Sequence, residues 1–202
     1  MGRERQKQKK EETRQLILDT ARSIVVKEGI DKLSIRKITN ILDYSPGIIY
    51  HYFKDKDEIV DTLLKEGYGK ILKSLSTLKV DNNDPEKEIK EDFMHYIYTV
   101  LKFQDEYKAF LLCERPSILK YTCLLHKGVS NDRKSIQKLC ASIKKGIKQG
   151  VFADCDVELT AQSLWVSVFG LVLRLIIEKT TDEQRCRLIN RQLEVLINGI
   201  KR

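Results

Sequence analysis

The chain reads as all-helical, and three observations carry that reading. Apolar residues recur three and four apart along most segments, the period of a helix with one buried face. No segment alternates apolar and polar residues as a half-buried strand would. Only three prolines and ten glycines interrupt 202 residues, so long unbroken helices are expected, about nine of them. Hydrophobic residues make up 42% and charged residues 33%, the balance of a globular protein with a core of its own.

The elements follow from periodicity and punctuation. Leu16, Ile17, Ala21, Ile24 and Val25 mark a first helix over 11–28, stopped by Gly29. Ser34 caps a short helix carrying Ile35, Ile38, Ile41 and Leu42. A break at Asp43-Tyr44 precedes Ser45-Pro46, a serine cap with proline at the first helical position, which opens a third helix to Phe53. Asp55 with Glu58 three later resembles a capping box and starts a fourth helix to about residue 78. After the polar break 80–85, Pro85 opens a helix with Ile89, Phe93, Ile97, Val100 and Leu101 on its apolar face. Shorter helices are expected over 105–114 and 117–127, then one over 132–149 ended by Gly150. A long apolar helix spans 156–179, and Thr181 with Gln184 caps a last one ending near Gly199.

Charge and cysteines narrow the function classes. Lys+Arg 37 against Asp+Glu 29 gives +8, which favours anionic partners such as nucleic acid or lipid headgroups. The excess concentrates at the N-terminal end, where Arg3, Arg5, Lys7, Lys9 and Lys10 meet only Glu4. That run reads as a solvated end or as an arm for the DNA minor groove, and the two stay open. Five cysteines without CxxC or Cys/His spacing indicate neither a disulfide framework nor a metal site, which fits a reducing, cytoplasmic setting. The charged N-terminus lacks a signal-peptide core. The longest apolar run, 164–177, is fourteen residues and falls short of the ~20 that span a bilayer, so no membrane partner is expected. No Ser/His/Asp arrangement, phosphate-cradling glycine loop or paired carboxylate motif is present, so no catalytic residue and no cofactor is assigned and an enzyme is disfavoured.

The informative stretch is 33–56. Two short helices joined by a three- or four-residue turn define a helix-turn-helix, whose second helix enters the DNA major groove. Gly47 lets backbone approach DNA closely, and Ile48 suits a thymine methyl. Tyr50, His51 and Tyr52 offer hydroxyl or ring N–H donors to phosphates, and Lys54 and Lys56 add charge. Ile38, Ile49 and Phe53 read as core of the small bundle.

This stretch resembles the TetR family of bacterial and archaeal transcriptional repressors. The likeness rests on Ser-x-Gly-x-x-Tyr-x-Tyr-Phe from Ser45 to Phe53, then Lys-x-Lys, and on the Leu33-Ser34-Ile35-Arg36 entry. It covers about residues 13–65, with the remainder matching in length and helical character. The resemblance implies a phosphate anchor at Ser34, a base or phosphate contact at Arg36, and base-reading positions at Pro46, Gly47 and Ile48. It implies a base-methyl or phosphate contact at Tyr50, and phosphate contacts at His51, Tyr52 and Lys56. Ser45 and Lys54 complete the candidate DNA-binding set. Two positions depart from the family pattern. Asp43 stands where glycine usually makes the turn, and aspartate tolerates left-handed backbone better than most residues. Pro46 and Ile48 replace side chains able to hydrogen-bond bases, so reading leans on Arg36, on fit and on DNA shape.

The division expected is 1–56 as the helix-turn-helix domain with a basic tail, 57–78 as a connecting helix and 79–202 as a helical ligand-binding and dimerisation domain. A helix apolar all round must be buried all round, one side on its own core and the other on a twin. Leu164, Val168, Leu171, Val172 and Leu175, with Leu188, Leu193 and Leu196, are the candidate dimer residues. Phe93, His95, Tyr96, Phe103, Phe110, Cys113, Trp165 and Phe169 are candidates for a mostly apolar pocket, although each alone reads more readily as ordinary core. Arg174 either pairs with an acid, meets an anionic ligand or lies at an exposed end. The leading expectation is a homodimer that represses from a palindromic double-stranded DNA operator and is released by a small-molecule effector. The alternative is a nonspecific or architectural DNA binder without a ligand.

Overall fold

A computed structural model describes residues 2–75, 83–111, 123–178 and 180–202. Among them are nine α-helices of seven residues or more: α1 (Gly2–Glu28), α2 (Ile35–Leu42), α3 (Pro46–Tyr52), α4 (Lys56–Leu75), α5 (Pro85–Lys102), α6 (Gln104–Leu111), α7 (Lys134–Lys148), α8 (Val157–Ile177) and α9 (Asp182–Asn198). A 3-10 turn over Ile30–Lys32 and a one-turn helix over Val129–Asp132 complete the elements. The only pairing of strand type among the described residues is an isolated bridge between Phe152 and Lys201. The all-α expectation holds.

The chain's punctuation works largely as its chemistry dictates. Gly29 stops α1 with φ +92°, and Ser34 caps α2 by accepting from the Lys37 N–H at 3.2 Å. Asp43 ends α2 in the left-handed region, φ 55°, ψ 43°, so aspartate does supply the turn in place of glycine. Asp55 accepts from the Glu58 N–H at 2.8 Å, while Glu58 reaches back to the Lys54 N–H at 2.6 Å. Asp84 caps α5 and Thr181 caps α9. Ser45 occupies the cap position of α3 but makes no side-chain bond to it; Pro46 at the first turn removes one N–H that would need a cap.

Three expectations need correction. The basic N-terminal run is not a tail separate from the first helix: α1 extends back to Gly2, nine residues beyond the expected start. Its residues are good helix formers without a breaker, so the helix propagates past its apolar face. The helix expected over 117–127 does not include 123–127, which are irregular; 112–122 lie outside the described residues. Non-local bonds take the place of helical ones there, with the Gln162 amide donating to the Leu124 and His126 carbonyls at 2.8 and 3.1 Å. Third, α8 is 21 residues long, enough by length and composition to cross a bilayer, because it starts seven residues before the apolar run.

Two cores organise the packing. The first joins Ile17, Leu18, Ala21 and Ile24 of α1 to Leu33, Ile38, Ile49 and Phe53, and to Ile59, Val60 and Leu64 of α4. The expected divide at 56/57 therefore cuts this core, since the first half of α4 belongs to it. The second core holds Ile71 at the far end of α4 with apolar faces of α5, α7, α8 and α9. One helix thus contributes to both. Gly146 in α7 is required by packing: a Cβ there would lie 2.1 Å from the Phe152 ring. Phe152 starts the strap that bonds to the C-terminus, with Ala153 N–H donating to the Ile200 carbonyl at 3.0 Å.

Candidate nucleic-acid interface

The site begins with which residues of α3 the core consumes. Ile49 is fully buried and Phe53 nearly so, and they fasten the helix to α1, α2 and α4. The arrangement leaves Ser45, Pro46, Gly47, Ile48, Tyr50 and His51 exposed, with Tyr52 half-buried beside His51 at a ring distance of 5.1 Å. Ile48 is 37% and Tyr50 56% exposed. Ser34 and Arg36 at the start of α2 are exposed as well, as is Lys54; Lys56 is half-buried. Of the DNA-binding residues expected from the sequence, none is fully buried, and Tyr52, half-buried, packs against the core.

Individual geometries sharpen the chemistry. The Ser34 oxygen is used as a helix cap, but its O–H still has a proton to donate, the kind of bond a phosphate accepts. A Cβ added at Gly47 would meet only the Ser45 Oγ, at 3.8 Å. Nothing inside the chain therefore demands glycine at that position; the space opens outward. Lys37, next to Arg36, is tied to Glu28 of α1, which leaves Arg36 as the outward cation of that turn. Arg14 of α1 lies with its guanidinium 5.1 Å from the centre of the Phe53 ring. Arg14 was not among the expected site residues, and the one pointer to it in the sequence is its place about a turn before the buried Ile17.

The second domain brings part of the expected pocket set together. Trp165 stands 4.8 Å from Tyr96 and 6.0 Å from Phe93, ring centre to centre. The Tyr96 and Tyr107 hydroxyls are hydrogen-bonded to each other, and burial pushes both well above the usual phenol range. Phe103 and Phe169 are half-buried. His95 departs from the expectation: its ring nitrogen bonds the Ser74 carbonyl at 3.0 Å and ties α5 to α4. The Phe110 side chain and Cys113 lie outside the described residues. Among the described residues, no group of His, Cys, Asp and Glu is arranged to hold a metal ion.

The dimer residues expected from the sequence are mostly spent on the protein's own core. Leu164, Val168, Val172, Leu175 and Leu193 are buried, while Leu171 and Leu196 are half-buried and packed against the same cluster. Only Leu188, 38% exposed, faces outward. Composition showed that α8 is apolar on all sides but not which side its own domain takes. The free stripe is Leu159, Ser163, Val166, Gly170, Leu173 and Ile177, at alternating spacings of four and three. Arg174 at its edge is exposed and pairs with Glu178 one turn on.

Comparison with known proteins gives this geometry a context. Residues 17–63 match the family model described as bacterial regulatory proteins, tetR family. The chain is 25% identical over 170 residues to the HTH-type transcriptional repressor NicS of Pseudomonas putida, covering 79% of this chain and 74% of the relative. It is 25% identical over 198 residues to the fatty acid metabolism regulator protein of Bacillus subtilis, covering 91% and 93%. Among solved structures, SmeT of Stenotrophomonas maltophilia in complex with triclosan superposes with TM-score 0.66 at 16% identity, over 94% of this chain and 92% of that one. The match to SmeT bears on the fold alone.

Proposed function

The chain belongs to the TetR family of bacterial transcriptional regulators, and from that premise we propose that it is a homodimeric repressor released from a near-palindromic operator by a small molecule. It is a helix-turn-helix regulator, not an enzyme. One observation carries the DNA-reading part. The inner face of α3 is spent on the core through Ile49 and Phe53, while the outer face from Ser45 to His51 stays open.

The mechanism assigns Ser34, His51, Tyr52, Lys54 and Lys56 to phosphates, which set register on the duplex. Arg36, Pro46, Gly47, Ile48 and Tyr50 face base edges, with Arg36 the charged donor and Ile48 the apolar contact. Two such helices reach two half-sites only in a dimer. The outer stripe of α8, with Leu188 and Val195 of α9, supports that pairing: Leu159, Val166 and Ile177 are 46–60% exposed in the monomer. Ser163 and Gly170 in the same stripe let two helices approach closely. The other faces of α8 already pack on α5, α7 and α9, so the exposed stripe suits a twin in a cytoplasmic protein better than lipid.

The aromatic group of Phe93, Tyr96 and Trp165 supports an apolar, aromatic-tolerant effector. A relative points the same way, the fatty acid metabolism regulator protein. α4 runs between the two cores and is the mechanical link. Gel shifts on a duplex selected by the protein test the reading face. Tyr50→Ala and Arg36→Ala are each expected to weaken binding about tenfold or more, since a good base contact is worth ~1–3 kcal/mol. Both variants should keep the wild-type unfolding midpoint. Wild-type affinity in both would remove this assignment.

A further inference from the structure

The helical start of α1 carries an organised charge pattern that the helix-turn-helix does not use. Lys7, Lys10 and Arg14 recur at three and four residues and therefore share one face. Arg5 and Lys9 lie on an adjacent face, about 100° or more around the helix from Lys7 and Lys10. The acids of this segment, Glu4, Glu11 and Glu12, gather on the remaining third of its circumference. Arg5, Lys7, Lys9 and Lys10 are all exposed, and among the described residues no acid lies within ion-pair distance of them. Helix stability does not account for this arrangement. Cations in the first turns oppose the helix dipole, and like charges three and four apart repel.

The stripe also has a fixed relation to the reading helix. Arg14, its inner end, lies over Phe53, the residue that ends α3, and exposed Lys54 follows directly. From Arg14 outward to Arg5 the helix runs about 13 Å, at 1.5 Å per residue. One DNA strand advances ~3.4 Å along the duplex axis per phosphate, so a helix of that length comes within reach of more than one phosphate of the flanking backbone.

We propose that the helical extension of α1 is a second DNA contact, in which Arg5, Lys7, Lys9 and Lys10 dock on backbone phosphates flanking each half-site. This rests on the DNA-reading assignment above and adds to it a contact that widens the footprint without reading bases. The helix stays helical on the duplex, because the stripe exists only at helical spacing.

The test compares the full-length wild type with R5Q/K7Q/K9Q/K10Q on a duplex that the wild type selects from a random-sequence pool. Glutamine keeps helix propensity, and circular dichroism checks that the fold is intact. The expected result is a footprint shortened at both outer edges with unchanged sequence preference. The plot of log affinity against log salt should become shallower by about 4–7 for the dimer, at ~0.9 for each phosphate no longer neutralised and two to four phosphates per half-site. The variant K7R/K9R/K10R should retain the wild-type footprint. An unchanged footprint and slope would overturn the proposal. Loss of sequence preference with the footprint intact would also overturn it, by assigning these residues to base reading. Vesicles of phosphatidylserine and phosphatidylcholine, against phosphatidylcholine alone, form a further arm. Binding to the anionic vesicles that the glutamine variant loses, with an unchanged DNA footprint, would assign the stripe to a lipid surface instead. A wild type that enriches no duplex would overturn the reading face and this contact together; a wild type that enriches one while the variant behaves identically overturns this contact alone.

Discussion

Ile49 and Tyr50 are chain neighbours with opposite fates, and the contrast separates folding from recognition. Ile49 is fully buried between α1, α2 and α4, whereas Tyr50 points away from that core. Ile49→Ala is expected to cost about 2–5 kcal/mol of stability, the range for truncating a buried aliphatic side chain. Tyr50→Ala should leave the unfolding midpoint where it is, and parallel thermal melts distinguish the two. A second residue-scale device is Glu158. Its carboxylate accepts from the Ser130 hydroxyl at 2.6 Å and from the N–H groups of Ser130 and Gly128 at 2.9 and 2.7 Å. These bonds hold its pKa down from 4.5 to about 2, the Ser130 hydroxyl contributing most. A depressed carboxylate pKa means that the clasp stabilises fully above about pH 4.5 and is lost as pH falls toward 2. Amide exchange at Gly128 and Ser130 should therefore accelerate over that window, and Glu158→Gln should show fast exchange already at neutral pH. Equal protection in wild type and variant at pH 7 would deny the clasp its role.

Among the elements, α8 separates what composition conveys from what it does not. Its all-round apolarity was plain in the sequence, and so was the need to cover two sides. The side its own domain covers depends on where α5, α7 and α9 lie, and no local pattern encodes that. Leu164, Val168 and Val172 accordingly turned inward, while Val166 and Ile177 took the outer face. Val166→Glu is expected to give soluble, folded monomers by sedimentation. Val168→Glu places a charge in the core and should unfold the domain. A dimeric Val166→Glu protein would move the interface off this stripe. Caps and turns were the most legible elements, because their chemistry is local. Ser34, Asp43, Asp55 and Thr181 each do what their side chains predict, whereas Ser45, the expected cap of α3, makes no side-chain bond. The reading face was legible for the same reason, since its inner and outer residues alternate within one short helix. The region 123–127 was not, because Gln162, more than thirty residues on, holds its Leu124 and His126 carbonyls.

For the whole molecule, the two cores share one helix, and this frames how an effector could act. α4 places Ile59, Val60 and Leu64 in the reading domain and Ile71 in the other core. A ligand that shifts α5 or α8 moves the far end of α4, and with it the spacing between two reading helices. Coupling of this kind is typically ~1–3 kcal/mol, about 5–150-fold in operator affinity. All of this presupposes a dimer that reads sequence, so the most direct measurement is selection of DNA from a random duplex pool by the full-length protein, followed by competition against unselected DNA. The expected result is a near-palindrome whose half-site centres lie about 34–36 Å apart or a multiple of it, bound in clear preference to random duplex. Enrichment of no common sequence, with equal affinity for selected and random DNA, would contradict it.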